Sequence, residues 1–403
     1  MTTSTSSTGL AHGLDRDRLF TPAFVRLSVG ELAYFTAAGV AIYALPPYVT
    51  GPVGSDTAGA GLAFGAFAVT ALVLRPYAGR LSDRVGRRPL LVGGALLAAV
   101  MMVLTAFADT LPLVVALRLG VGVAEAAFFV AVFAALADLA PPSRIGEALS
   151  YNSLGLYLGI TLGPPLGELL VRSLGFTAAW YGAAVLLVLA ATIIHGIGET
   201  LVAGSPRERR APLIHWKAVP PALGFLTSVV AMGGFLGLAS LHADAVGVAG
   251  TSLPLTLYGV VVVLCRVAFA KVPDRLPALP LGAAALATIA TGLALAALWT
   301  TPVGFLLGAA LLGVGVSFST PAFFTAIFAT ASPSERGAAS GTASVCLDLG
   351  LGGGTVLLAL LADGGGIPGA FAVAAGVAGA GCAWTLLLAR HTARPPVTRR
   401  RGG

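Results

Sequence analysis

Long apolar runs broken by short polar or basic punctuation fill the chain from residue 23 to residue 390. Crossing about 30 Å of hydrocarbon takes roughly 17 to 25 mostly apolar residues in a helix. On that criterion the pattern predicts an all-α membrane protein with twelve transmembrane helices, at 23–46, 57–79, 88–107, 112–139, 147–171, 175–197, 219–241, 252–271, 279–298, 303–330, 338–362 and 368–390. A transmembrane β-barrel would instead show alternating segments of roughly ten residues. At the run ends stand Pro46-Pro47, Pro141-Pro142, Thr301-Pro302 and Gly364-Gly365-Gly366, expected to end helices or turn the chain.

Composition and charge sharpen this picture. Of the 403 residues, 57% are hydrophobic and 10% charged, against about 45 to 50% and 25% in a soluble domain. An ordinary soluble protein cannot hide that much apolar surface. The 53 glycines suit close helix packing in lipid. Lys and Arg collect on alternate connections: Arg80, Arg84, Arg87 and Arg88; Arg144; Arg207, Arg209, Arg210 and Lys217; Lys271 and Arg275; Arg336; and a tail from Arg390 to Arg401. Because cytoplasmic loops are enriched in these residues, both termini are expected inside. The formal charge of +7 is then a topology signal, and no nucleic-acid partner is expected. Residues 1–22 are Ser/Thr-rich and lack the apolar core of a cleavable signal, so they are expected to be a disordered cytoplasmic segment, with the first helix as the targeting signal.

An internal repeat divides the chain. Arg75-Pro76-Tyr77-Ala78-Gly79-Arg80-Leu81-Ser82-Asp83-Arg84 is echoed by Arg266-Val267-Ala268-Phe269-Ala270-Lys271-Val272-Pro273-Asp274-Arg275, at an offset of 266 − 75 = 191. Pro142-Ser143-Arg144-Ile145-Gly146 is echoed around Pro333-Ser334-Glu335-Arg336-Gly337, at 336 − 144 = 192. Two matching offsets predict two pseudo-symmetric six-helix bundles, 23–197 and 219–390, joined by a cytoplasmic linker at 198–218 and followed by a basic tail at 391–403. Parallel repeats of this kind place a substrate site between halves near the midplane.

The run Gly79-Arg80-Leu81-Ser82-Asp83-Arg84-Val85-Gly86-Arg87-Arg88-Pro89-Leu90-Leu91 resembles the signature loop of the major facilitator superfamily, and the resemblance extends over essentially the whole chain. It implies that Gly79, Asp83, Arg84, Gly86, Arg87 and Arg88 latch the halves in one conformation, with Gly79 permitting close helix approach and Gly86 turning the chain. Arg118-Leu119-Gly120-Val121-Gly122 is similar to a family motif whose buried arginine is associated with proton coupling. Gly159-Ile160-Thr161-Leu162-Gly163-Pro164-Pro165-Leu166-Gly167-Glu168 resembles the Gly-Pro motif of the antiporter branch, with Glu168 where a second glycine usually stands.

Ionisable residues inside spans are functional candidates by default because lipid makes them costly. Here they are Glu31, Arg118, Glu125, Glu168 and Asp348. Arg118, Gly122 and Glu125 share a helix face at i, i+4, i+7. Glu31, Glu125 and Arg118 are the expected proton-coupling core, with Asp348 a further proton or substrate-cation candidate. Arg75 and Arg266 lie near inner helix ends and are expected to snorkel. Phe235, Tyr258, Phe318, Phe323 and Phe324 are substrate-cavity candidates in the second half, weighed against simple packing. Cys265, Cys346 and Cys382 have neither metal-ligand nor CxxC spacing, and His195, His215 and His242 lack paired ligand spacing. No metal, cofactor or disulfide is therefore expected. Lacking a nucleophile elbow, Walker loop or HExxH, the chain reads as a gradient-driven transporter rather than an enzyme. The expectation is a monomer that moves a small lipophilic or amphiphilic molecule outward in exchange for protons. The alternatives are an importer of a sugar or organic acid and a transport-inactive sensor.

Overall fold

A computed structural model of the chain describes residues 19–141, 144–201, 215–332 and 335–392. Arg16, Arg18, Arg207, Arg209, Arg210 and the end of the tail, whose charges belong to the predicted orientation, lie outside the described residues, as do Pro142, Ser143, Pro333 and Ser334.

The described residues form helices α1 (Pro22–Thr50), α2 (Thr57–Val85), α3 (Arg87–Thr105), α4 (Leu111–Leu139), α5 (Ile145–Leu174) and α6 (Phe176–His195). After a short 3-10 turn come α7 (Val219–Ala245), α8 (Leu253–Ala268), α9 (Ala278–Leu298) and α10 (Pro302–Phe328). Helix α11 begins as Arg336–Asp348, passes through a π turn at Leu349–Gly353 and enters the stretch Gly354–Thr392. That stretch breaks at Gly366, whose φ of 74° only glycine adopts easily, and α12 follows at 367–392. Ten stretches are long and apolar enough to cross a membrane. The last of them, Ala338–Thr392, holds both α11 and α12, and the shorter apolar α8 completes the set: 9 + 2 + 1 = 12. The chain is an all-α membrane protein with the predicted twelve spans.

Local chemistry explains the starts. Thr21 caps α1 by accepting from Phe24 N at 3.2 Å, and Thr301 caps α10 by accepting from Gly304 N at 3.3 Å, each followed by a proline at the first helical position. Two predicted ends are corrected. Helix α1 does not stop at Pro46-Pro47 but continues to Thr50, and the carbonyls of those prolines accept from Thr50 Oγ1 at 3.1 Å and Gly51 N at 3.0 Å. Inside a bundle, neighbouring groups compensate for the N–H that proline lacks. Helix α2 continues beyond residue 79 to Val85, so most of the signature loop is helical and the turn is confined to Gly86.

The chain divides into two compact units. Residues 19–55 and 66–201 belong to the first, in which α1 packs on α5 and α6, and α3 on α4 and α6. Residues 56–65, the first turns of α2, belong to the second unit together with the described residues from 215 onward. There Gly61 and Gly65 lie against Ala359 and Gly352 of α11. Helix α9 packs on α10 and on the Gly354–Thr392 stretch, α8 on α10, and α7 on α11. The second unit's core is aromatic: Phe235, Tyr258, Phe305 and Phe371 cluster together, and His242 stands edge-on to Phe305 and Phe371.

Candidate functional site

The candidate site grows from one face of α4. Gly122 has no side chain because there is no room for one: a Cβ would run into the Phe67 carbonyl oxygen and Thr70 Oγ1 of α2. Thr70 Oγ1 donates to the Leu119 carbonyl at 2.7 Å, stitching the same crossing. This approach sets the Phe67 ring 5.3 Å from the guanidinium carbon of Arg118, a cation–π distance. Gly94 of α3 admits the α4 backbone at Ala124 and Phe128 in the same way.

Phe128 in turn stacks face to face with Tyr34 of α1, at 3.7 Å and 5°. So held, the Tyr34 O–H donates to Glu125 Oε2 at 3.0 Å. Arg75 of α2 stands over the Phe129 ring at 4.2 Å, and the charges of both Arg75 and Arg118 act on Glu125. Four groups from three helices thus converge: a phenol, a carboxylate and two guanidiniums. Tyr34 is 2% exposed and Arg118 9%, whereas Glu125 and Arg75 are half-buried and keep an accessible side.

The structure therefore brings Glu125 near Arg118, as expected, and adds two residues that sequence reasoning did not assign to the site. Tyr34 was unmarked, although a phenol in an apolar helix needs a hydrogen-bond partner. Arg75, expected to snorkel, is half-buried over the Phe129 ring, and its charge also acts on Glu125. Glu31 is 1% exposed, one turn before Tyr34 on α1. Asp348, 3% exposed, is in the second unit at the start of the π turn, where Gly350 and Gly354 pack against Val229 and Val230 of α7. Such π turns recur at functional sites.

The signature loop forms its own polar cluster. Gly86 turns with φ 103°. Arg87 pairs with Asp83 and, at 3.2 Å, with Asp138, and donates to Ser82 Oγ at 3.1 Å. Beyond the end of α6, the Glu199 carboxylate accepts from the Arg87 and Arg88 backbone N–H groups at 2.8 and 3.3 Å, closing the exposed N-terminus of α3. Burial would push the Glu199 carboxyl up, but the N–H donors of Leu201, Arg87, Arg88 and Thr200 outweigh it and hold it below the usual carboxylate range. The Arg88 guanidinium reaches His195 Nε2 at 2.8 Å, while Arg84 is exposed. Gly79 does not serve a close approach within its own unit: an added Cβ would meet Val130 at 3.8 Å, an ordinary contact.

On α5, Gly159, Gly163 and Gly167 form a ridge seated on α1, against Phe35 and Thr36, against Gly39, and against Val40 and Tyr43. Pro164 borders the same contact, and Glu168 pairs with Arg172 at 2.9 Å. Of the aromatic candidates, Phe235, Tyr258 and Phe323 are enclosed in packing, at 1%, 1% and 0% exposure, with Phe323 filling the space beside Gly224 and Gly282. Phe318 and Phe324 are half-buried, beside Phe269 and Phe225 respectively.

Comparison with known proteins agrees with this architecture. The chain is 26% identical to an uncharacterized MFS-type transporter of Salmonella typhimurium over 381 residues, 91% of this chain and 96% of the relative. It is 28% identical to one of Burkholderia mallei, over 90% and 91%. Among solved structures, a bacterial homolog of the human lysosomal transporter Spinster, inward-facing and occupied, matches with a TM-score of 0.76 at 15% identity, covering 96% of this chain and 98% of that one. The human organic anion transporter MFSD10 matches at 0.70 and 18%, covering 90% and 99%. The Major Facilitator Superfamily model matches residues 27–355 and, again, 222–403. With that match spanning most of its length, the chain belongs to the major facilitator superfamily, multi-pass membrane proteins that carry out secondary transport by alternating access.

Proposed function

We propose that the protein is a proton-coupled transporter in which Glu125 carries the proton. The observation that supports this most directly is the hydrogen bond from Tyr34 to a half-buried Glu125 that also lies in the fields of Arg75 and Arg118. Two opposing influences act on such a carboxylate: desolvation favours its neutral form, while a donated hydrogen bond and nearby cations favour its charged form. Alternating access changes the water supply to the half-buried side, and so shifts the balance between them. The proton is then taken up on one side and released on the other. Glu31 and Asp348 are further proton candidates in the two units, and Asp83, Arg87, Asp138 and Glu199 form the latch. Both termini are cytoplasmic, and the protein works as a monomer in the cell membrane.

On direction, the resemblance of the α5 motif to the antiporter branch favours efflux of a lipophilic or amphiphilic compound. A second reading, uptake of an organic acid together with protons, is favoured by the two arginines facing one carboxylate. Proteoliposomes loaded with a pH-sensitive dye and challenged with lipophilic compounds and organic acids test the coupling. Wild type is expected to move protons when a transported compound is added, and Glu125→Gln to lose that movement at equal protein content. A Glu125→Gln variant that couples as well as wild type removes Glu125 from the mechanism.

A further inference from the structure

We infer that the turn between α8 and α9 is a binding site for the phosphate of an anionic phospholipid in the adjoining leaflet, held by Lys271 and Arg275.

The site arises where the two repeats part. The offset of 191 pairs Ser82 with Pro273, Asp83 with Asp274 and Arg84 with Arg275. Helix α2 runs through Ser82 to Val85, whereas α8 stops at Ala268. Proline accounts for the difference. Pro273 has no N–H to give the Phe269 carbonyl one turn back, and its ring crowds that carbonyl. Val272 N donates to the Phe269 carbonyl instead, at 3.0 Å, in a tight turn that leads into the single helical turn Val272–Arg275. Residues 267–272 and Arg275 line a cavity of about 340 Å³ there, inside the range of about 300–1,000 Å³ that small-molecule sites span.

Helix length places this turn at the headgroups. With 16 residues, α8 rises about 24 Å, short of the roughly 30 Å of hydrocarbon. The 29 residues of α2 rise about 44 Å. A span shorter than the hydrocarbon core brings its flanking residues to the bilayer surface. Val260, Leu264 and Val267, spaced i, i+4, i+7, form an exposed stripe down one face of α8 that suits acyl chains. Beyond the stripe, Phe269, Lys271 and Arg275 are all exposed.

The charges match a phosphate. Among the described residues neither Lys271 nor Arg275 takes part in an ion pair. Arg266, at the end of α8, has a contact of its own. With Asp274 set fully against Lys271 and Arg275, the turn keeps 2 − 1 = +1. A phosphodiester offers each cation an oxygen while its acyl chains stay against the stripe, and basic residues beside a span are the form that anionic-lipid sites take. The cationic amine of a zwitterionic headgroup is repelled by the same turn. The bound headgroup thereby fixes the depth of a helix too short to fix its own.

The test is photolabelling of the full-length protein in phosphatidylcholine nanodiscs doped with a trace of phosphatidylglycerol or of phosphatidylcholine, each carrying a diazirine on one acyl chain, with adducts mapped by mass spectrometry. A cation near the membrane surface favours an anionic lipid by about fivefold, so phosphatidylglycerol should label residues 260–276 about five to twenty-five times more than phosphatidylcholine. Lys271→Gln combined with Arg275→Gln should bring the two lipids level at an unchanged unfolding temperature. Lys271→Arg combined with Arg275→Lys keeps both charges and should keep the preference. The proposal is overturned if the two lipids label wild type equally or if both double variants behave alike. It is also overturned if excess glycerol 3-phosphate abolishes the labelling, since the ligand is then a soluble phosphate rather than a lipid.

Discussion

Gly120 and Gly122 sit two residues apart in the same motif on α4, yet the structure assigns them opposite tolerance for a methyl group. At Gly122 an added Cβ meets the Phe67 carbonyl oxygen and Thr70 Oγ1, so the α2 backbone must move and the 2.7 Å bond from Thr70 to Leu119 is bent or lost. Overpacking of this kind costs about 1–3 kcal/mol, and the hydrogen bond about 1 kcal/mol. Alanine's better helix propensity returns roughly 0.8–1.0 kcal/mol. The net destabilisation of Gly122→Ala is therefore about 1–3 kcal/mol. At Gly120 the Cβ meets the Met101 sulfur, the far end of a flexible side chain that can swing aside. There the propensity gain roughly offsets the adjustment, and Gly120→Ala should fall within about 0.5 kcal/mol of wild type. In nanodiscs, Gly122→Ala should unfold about 1–4 °C below Gly120→Ala. It should also transport less, because Arg118 lies one turn away on the same face. Equal midpoints, or the reverse order, would refute the idea that a backbone crossing at Gly122 organises the site.

Tyr34→Phe keeps the stack on Phe128 but removes the donor to Glu125. A hydrogen bond to a charged group is worth about 1.5–3 kcal/mol, so the pH midpoint of proton-coupled transport should move about one to two units alkaline, and an unmoved midpoint in the flux profile excludes Tyr34 from coupling. Glu199 is held below the ordinary carboxylate value of about 4.3. Its contribution is thus present above that value and is lost as pH falls through the folded one, so Glu199→Gln should lower the unfolding temperature at neutral pH and converge with wild type in acid; a constant gap across pH contradicts this. Asp83→Asn should impair transport at unchanged membrane abundance, since it breaks the Arg87 pair; wild-type turnover would leave the loop only a topological role. In a background without Cys265, Cys346 and Cys382, single cysteines at Ser205 and Thr398 should resist an impermeant thiol reagent on intact cells, and labelling of either would reverse the orientation.

The sequence by itself determined the membrane, the twelve spans and the short list of charges inside them. Each of these depends on desolvation, which acts residue by residue and sums over a local window, so hydropathy and a lone Glu125 or Arg118 are legible without any partner. Glycine at position 86 was legible for a similar reason: a turn between two helices is a local backbone event. What lay beyond the sequence was rotation about the helix axes and depth of packing. Pro46 and Pro47 disfavour a helix in isolation, but this end of α1 is packed inside its bundle, with Tyr43, Pro46 and Val49 buried, and the helix continues to Thr50. Phe235 and Tyr258 look alike as cavity walls or packing until neighbouring aromatics enclose them. Arg75 resembles a snorkelling residue until Gly122 draws α2 onto α4 and brings its charge to Glu125. Tyr34 is separated from Glu125 by 91 residues, and only the stack on Phe128 aims its hydroxyl at the carboxylate. Charge fields and hydrogen bonds depend on ångström distances between helices, and glycine crossings that no local window records set those distances.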